Sequence, residues 1–158
     1  MDELASGRFQ EFLADSTIEP SKVSRILLCS GKVYYDLLAG REQRGAQDVA
    51  IIRVEQLYPF LLPEFYDLLA RHPLTAEVCW VQEEPKNMGS WIFIQDQLQP
   101  VLDLSKRTLR YIGRGESASP SAGSLKRHQE EQAYIVEEAF AEAPLPKKTR
   151  RLVPKKKK

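Results

Sequence analysis

Apolar positions in this chain fall into short runs that end at polar turns. Four runs have this form, and they lie at residues 23–29, 49–54, 78–82 and 109–112. A continuous apolar run bounded by glycine, proline or charged residues is typical of a strand that is buried on both faces. The pattern therefore predicts four strands, each of which leads into a polar turn.

Between the strands, apolar residues follow helical spacing, and the segments with this spacing are residues 33–44, 64–72, 91–104 and 124–141. Val33 and Leu37 illustrate it, and Gly45 and Pro73 stand where the first two helices should stop. We expect Pro100 to weaken the third helix. Strands that alternate with helices predict an α/β fold with three layers, a mainly parallel sheet with helices on both faces.

The two ends of the chain differ from this middle part. Residues 1–22 are polar with scattered apolar positions, and we interpret them as a connector from an upstream domain. Residues 144–158 are rich in proline and lysine, offer little apolar surface to bury and are predicted to be disordered. The folded domain is therefore predicted to span residues 23–143.

Charge is distributed unevenly along the 158 residues. The formal net charge is +1, but residues 147–158 hold eight of the 23 lysines and arginines and no acidic residue. The remainder carries 15 basic and 22 acidic residues, a net charge of −7. Such a tail suits salt-dependent binding to nucleic-acid phosphates. The acidic body and the lack of interleaved aromatic residues argue against nucleic acid and favour a solubilising or tethering tail.

Cysteine content and hydropathy narrow the cellular setting. Cys29 and Cys79 both lie in apolar runs, which indicates two buried reduced thiols rather than a disulfide framework. No apolar stretch approaches the roughly 18 residues of a membrane span. Residues 1–4 do not begin a secretory signal. These features favour the cytoplasm, or a compartment reached by other means.

The candidate functional side chains follow the predicted strands. Because the carboxyl ends of parallel strands meet at one edge of a sheet, these side chains are expected to gather there. Ser30 and Lys32 flank Gly31 at a strand-to-helix turn, where backbone N–H groups and an ammonium suit an anion. The segment lacks the upstream glycine and the following Ser or Thr of a P-loop. The alternative is a tight turn with a capping serine and an exposed lysine.

Two further turns carry charged or amide side chains. Glu83 and Glu84 are adjacent on an extended backbone, so they point to opposite sides and are not expected to form a catalytic dyad. With Asn87 they are expected to order an interface loop; in the alternative, one glutamate caps the next helix and the other is solvated. Arg114 precedes a Ser- and Ala-rich loop, and its guanidinium with this loop suits a phosphate or a carboxylate. In the alternative, the residues of the loop are small because helices pack closely there. The sequence contains no metal-ligand cluster and no nucleophile–base motif, so no metal or catalytic site is predicted.

Four segments occur in an order and spacing that resemble a known family. They are residues 29–37 (Cys-Ser-Gly-Lys-Val-Tyr-Tyr-Asp-Leu), 53–60 (Arg-Val-Glu-Gln-Leu-Tyr-Pro-Phe), 82–91 (Gln-Glu-Glu-Pro-Lys-Asn-Met-Gly-Ser-Trp) and 111–123, which begins Tyr-Ile-Gly-Arg. Together they resemble the C-terminal domain of the thiamine-diphosphate-dependent first component of 2-oxoglutarate dehydrogenase. The resemblance covers about residues 23–141.

This resemblance implies a fold and an activity. The implied fold is that of the transketolase C-terminal domain, a five-stranded, mainly parallel sheet between helices, so a fifth strand is expected at an edge. The implied full enzyme is an oxidoreductase of the tricarboxylic acid cycle that decarboxylates 2-oxoglutarate and passes the succinyl group to the lipoyl arm of the second component. In that family, thiamine diphosphate and magnesium bind in two preceding domains that this sequence does not contain.

The chain is therefore expected to be a C-terminal fragment or one part of a split enzyme, without catalytic activity of its own. The resemblance also implies a bacterial-type cytoplasmic location, or the mitochondrial matrix in a eukaryote. The resemblance implies a scaffold that contacts the upstream domains, a second copy in a homodimer and the lipoyl-bearing second component. The candidate interface loop consists of Glu83, Glu84, Asn87 and Trp91. The candidate anion contacts, at a regulatory nucleotide or coenzyme A site, are Ser30, Lys32 and Arg114. The alternative function is a stand-alone anion-binding regulatory module that uses the same three residues.

Overall fold

Strands and helices alternate along residues 7–142, the part of the chain that the computed structural model describes. The strands are β1 Phe12–Leu13, β2 Arg25–Cys29, β3 Val49–Val54, β4 Glu77–Pro85 and β5 Leu109–Arg114. The helices are α1 Val33–Arg44, α2 Leu62–Ala70, α3 Trp91–Ser105 and α4 Leu125–Phe140, and a 3-10 turn covers Pro20–Lys22. The predicted basic tail at residues 144–158 lies outside the described residues.

The five strands form one sheet in the order β1-β3-β2-β4-β5. Strands β2 to β5 pair in parallel, and β1 pairs antiparallel with β3 at the edge. The predicted α/β fold with a mainly parallel sheet is confirmed, and so is the fifth strand at an edge. None of the helices within residues 7–142 is both long and apolar enough to cross a membrane.

Each face of the sheet has its own buried core. Along β2, Ile26 and Leu28 face the core beneath α2 and α3, whereas Leu27 and Cys29 face the core beneath α1 and α4. This alternation explains why the central strands β2, β3 and β4 are nearly continuous apolar runs in the sequence, because both sides of each must be apolar.

The two cysteines are buried thiols, as predicted. Cys29 and Cys79 are fully buried and form no disulfide. Burial raises the pKa of each thiol to about 12, because a thiolate is poorly solvated in an apolar core. Both sulfurs therefore remain protonated and unreactive at neutral pH.

The described part of the predicted connector packs on the edge of the sheet. Its β1 residues pair with β3, and below them Asp15 forms a buried ion pair with Arg41 of α1. The Asp15 carboxylate also accepts the backbone N–H of Ile51 at 3.0 Å, and Arg41 donates to the carbonyl of Val49 at 3.3 Å. These two side chains therefore satisfy one backbone N–H and one backbone carbonyl of β3 at residues that β1 does not reach.

Several boundaries differ from the sequence prediction by one to three residues. Strand β4 runs to Pro85 rather than ending at residue 82, because a register shift allows Pro85 to pair with Arg114 of β5. A proline is tolerated there because the strand ends and its missing N–H is not needed. Helix α2 begins and ends two residues earlier than predicted, with Pro63 in its first turn. Helix α3 continues through Pro100 to Ser105.

Candidate functional site at the carboxyl edge of the sheet

The carboxyl ends of β2 and β4 border the topological switch point of the sheet. Helix α1 leads from β2 to β3 on one side, and α3 leads from β4 to β5 on the other. A crevice at such a point is the usual ligand site in an open α/β sheet. The predicted residues Ser30, Lys32 and Glu83 lie at these two strand ends.

Lys32 bridges the switch point through carboxylates. Its Nζ lies 3.2 Å from Oε1 of Glu83 and 3.3 Å from Oδ2 of Asp36. The hydrogen bond to the Glu83 carboxylate is the main reason that the pKa of Lys32 is raised. Two carboxylates beside one ammonium leave this position with a net negative charge, which opposes the approach of a phosphate.

Arg114 is also occupied by internal acceptors. Its Nε donates to the main-chain carbonyl of Glu83, its Nη2 donates to the carbonyl of Pro120 at 2.8 Å, and its Nη1 lies 3.3 Å from Oε2 of Glu131. The side chain is 15% exposed. The structure therefore brings Lys32 and Arg114 to the same residue, Glu83, but each uses it as a partner within the protein.

Gln82, which was not among the predicted site residues, is the centre of this edge. The residue is 3% exposed, and its Oε1 accepts the indole N–H of Trp80 at 3.0 Å. Its Nε2 donates to the carbonyls of Met88 at 2.8 Å and Pro85 at 3.2 Å. One side chain thus fixes the path of the β4–α3 turn. The available signal was a lone amide in an apolar run, two positions after a tryptophan and so on the same face of the strand.

A tyrosine and a glycine of β5 also help to hold the β4–α3 turn in place. The hydroxyl of Tyr111 donates to the carbonyl of Arg114 at 2.9 Å, and its ring packs on Trp91 with centroids 5.0 Å apart. Burial raises the pKa of Tyr111, so the hydroxyl stays a donor. A Cβ at Gly113 would lie 2.5 Å from the Tyr111 hydroxyl and 2.8 Å from the carbonyl oxygen of Gln82. Only glycine fits this close approach.

The predicted interface residues divide into two groups. Glu83 is half-buried and Trp91 is buried, so both support the loop from within. Glu84 and Asn87 are exposed. The Asn87 amide exchanges two hydrogen bonds of 3.0 Å with the backbone of Ser117, which ties the β4–α3 turn to the loop after β5.

The described residues do not fit a site for magnesium and a diphosphate. Within residues 7–142, no three His, Cys, Asp or Glu side chains are grouped to hold a metal ion. The two predicted anion contacts at the carboxyl edge, Lys32 and Arg114, already bond carboxylates or carbonyls of the protein. The arrangement is that of a structurally braced loop cluster.

Comparison with known proteins shows the family. Residues 1–140 match the family model described as 2-oxoglutarate dehydrogenase C-terminal. The chain belongs to this family. The resemblance found from the four sequence segments is therefore confirmed, and the match also includes residues 1–22.

Individual members of the family are similar over most of the chain. The 2-oxoglutarate dehydrogenase E1 component of Cupriavidus necator is 42% identical over 142 residues, which cover 89% of this chain and 15% of that protein. The E1 component of Azotobacter vinelandii is 41% identical over 143 residues, with the same coverage. That of Brucella anthropi is 48% identical over 123 residues, 76% of this chain and 12% of that protein. The chain thus spans a small part of the length of these relatives.

Proposed function

We propose that this chain serves as the C-terminal, non-catalytic region of a 2-oxoglutarate dehydrogenase first component. The observation that carries the proposal is the family match over residues 1–140. The proposed whole enzyme oxidatively decarboxylates 2-oxoglutarate and passes the succinyl group to a lipoyl-bearing second component. Thiamine diphosphate and magnesium would be bound by parts of the enzyme that correspond to the unmatched length of the relatives.

The proposed role of the carboxyl edge is to contact the preceding domains of the enzyme. Three large side chains at this edge are exposed, Tyr35 at 61%, Tyr58 at 83% and Ile92 at 62%. Each follows the carboxyl end of a parallel strand, and the exposed carboxylate of Glu84 lies at the end of β4. Exposed apolar groups with a polar surround are typical of interaction surfaces. The relatives have most of their length outside the match, which supports the preceding domains as the occupant.

A chimeric enzyme tests the proposal. Residues 1–140 of this chain replace the matching region of the Cupriavidus necator E1 component, and 2-oxoglutarate-dependent reduction of ferricyanide is measured. We expect activity within about tenfold of the parent, since a tenfold loss corresponds to only about 1.4 kcal/mol. A soluble, folded chimera without activity would contradict the proposal.

Variants of the chimera test the contact surface. Tyr58→Ser combined with Ile92→Ser should lower the activity of the chimera, because both changes remove exposed apolar contact area. The matched control is Gln99→Met on the exposed face of α3, which should leave the activity of the chimera unchanged. Equal activity of the double variant and the control would place the contact elsewhere.

Cofactor binding gives an independent test on the chain alone. Calorimetric titration with thiamine diphosphate and magnesium should show no saturable binding in the micromolar range. Micromolar affinity would refute the assignment of the cofactor to other parts of the enzyme. Homodimer formation and docking of the second component stay predictions for the complete enzyme.

The anion-binding alternative also stays a prediction. It requires Ser30, Lys32 and Arg114 to bind a nucleotide or coenzyme A, although the last two already have partners within the protein. Titration with coenzyme A tests it directly. Saturable binding that is lost in Lys32→Ala and in Arg114→Ala would favour this alternative.

A further inference from the structure

A groove of about 330 Å³ lies between α2 and α3, at the end of the sheet opposite to the polar loops. The last turns of both helices and the residues just before β4 and β5 form its walls. Its rims carry three exposed apolar side chains, Tyr66 at 45%, Leu74 at 69% and Leu104 at 76%. Such a cluster of exposed large side chains indicates an interaction surface rather than an ordinary solvated face.

Positive charge accompanies this apolar groove. Lys106 and Arg107 line it, and no acidic side chain does. Arg107 is 7% exposed and donates to the carbonyls of His72 and Pro73, each at 2.8 Å. Burial lowers the pKa of His72, and the charges of Arg107 and Arg71 lower it further. Several cations therefore share this end of the domain.

These cations have no carboxylate partner within the described part of the chain. The ion pairs among residues 7–142 involve other lysines and arginines, so Arg71, Lys106 and Arg107 each lack an acidic group within 4.0 Å. Residues before the tail carry a net charge of −7 overall. The groove thus has the opposite sign to the net charge of residues 1–146, and it attracts acidic groups.

We propose that the groove between α2 and α3 is a docking site for an acidic amphipathic peptide segment of a partner protein. An apolar side chain of the segment lies between Tyr66, Leu74 and Leu104. A flanking carboxylate lies over Lys106, at the mouth of the groove. Recognition of an apolar anchor with flanking charges is the usual mode for helices and peptides that bind in grooves.

The shape favours a peptide over a small amphipathic anion. A small-molecule pocket buries most of its ligand, whereas Leu74 and Leu104 stand largely in solvent on the rims. Rim residues of this kind add contact area to a segment that crosses the groove. The charge on the rim adds specificity and speeds association more than it adds affinity.

A binding experiment with the full chain uses three fluorescent hexapeptides and decanoate. The first peptide has two leucines between pairs of glutamates, the second replaces the glutamates with lysines, and the third replaces the leucines with serines. We expect saturable binding of the first peptide and at least about tenfold weaker binding of the other two, because each loses one half of the recognition. Amide NMR shifts should lie along α2 and α3.

Two exposed positions serve as test variants, since replacing Arg107 could unfold the end of α2. Leu104→Ser removes an apolar rim residue, and Lys106→Asn removes a charge while keeping a residue that tolerates its φ of 54°. Each should weaken the first peptide by about threefold or more. Leu125→Ser, at an equally exposed leucine outside the groove, is the control and should have no effect.

Four results would overturn the proposal. They are absence of saturable binding of the first peptide, equal binding of all three peptides, unchanged binding in both groove variants, and tighter binding of decanoate than of the peptide. The last result would assign the groove to a lipid-like anion instead. None of these results depends on the activity of the proposed enzyme.

Discussion

Replacement of Gln82 by methionine should destabilise the domain more than any surface change of the same kind. The substitution conserves shape but removes the acceptor of the Trp80 indole and the donors to Met88 and Pro85. The two lost hydrogen bonds to Met88 and Pro85 cost about 1 kcal/mol each, and the buried indole N–H left without an acceptor costs about 1–3 kcal/mol. We therefore expect a loss of about 3–5 kcal/mol from the free energy of unfolding, a large part of the total for a domain of this size.

Urea unfolding followed by far-UV circular dichroism measures this loss without relying on tryptophan fluorescence. The midpoint should fall while the m-value stays constant. The matched control is Gln99→Met, because Gln99 makes one exposed hydrogen bond, to Asp103 at 2.6 Å. The control should change stability by no more than about 0.5 kcal/mol.

A double-mutant cycle separates the hydrogen bond from general packing. Trp80→Phe removes the indole donor, so the combination of Trp80→Phe with Gln82→Met no longer leaves a buried N–H unpaired. The double variant should be more stable than the sum of the single losses predicts, by about 1–3 kcal/mol. Strict additivity, or equal losses for Gln82→Met and Gln99→Met, would refute the reasoning.

Three further predictions concern packing and pH. Gly113→Ala should lower the free energy of unfolding, measured with urea, by about 1–3 kcal/mol. Gly115→Ala should be nearly neutral, because nothing lies within 4 Å of the added Cβ. Similar losses in the two variants would contradict the close approach at Gly113. Burial raises the pKa of Cys29 and Cys79 to about 12. The free energy of unfolding should therefore fall above pH 9 by about 1.4 kcal/mol per pH unit for each thiol. A Cys79→Ala variant should show a shallower fall. Burial raises the pKa of Asp15, but hydrogen bonds from Thr17, Ile51 and Arg41 outweigh this effect and lower the pKa below 3.8. The contribution of Asp15 to stability is therefore complete above that pH and is lost as the pH falls through the folded-state pKa. Asp15→Asn should flatten acid unfolding in this range.

The fold could be predicted from sequence wherever one strand or helix carries its own signal. Strands β2, β3 and β4 are buried on both faces, so their apolar runs are nearly continuous, and Val33 with Leu37 shows the helical face directly. Strand β1 has only two residues, and its position depends on distant partners such as Val54 and Phe65. A pattern within residues 1–22 cannot contain that information.

The site was predicted less completely, because its chemistry depends on strand order. Lys32 and Glu83 are far apart in sequence, and they meet only because β2 and β4 are neighbours. That contact places a carboxylate where an anion site was predicted. The same dependence hid Gln82, whose acceptors belong to a turn that forms after a register shift between β4 and β5.

The pairing of Asp15 and Arg41 with β3 limits how copies of this domain can associate. An open edge strand is a template for a strand from another chain, and proteins protect such edges with charged side chains or short strands. Here the carboxylate takes the N–H of Ile51 and the guanidinium takes the carbonyl of Val49. A strand added along β3 would have to separate a buried ion pair before it gained a hydrogen bond. Assembly by continuation of the sheet at this edge is therefore disfavoured, and the domain resists the cross-strand aggregation to which exposed edges are prone.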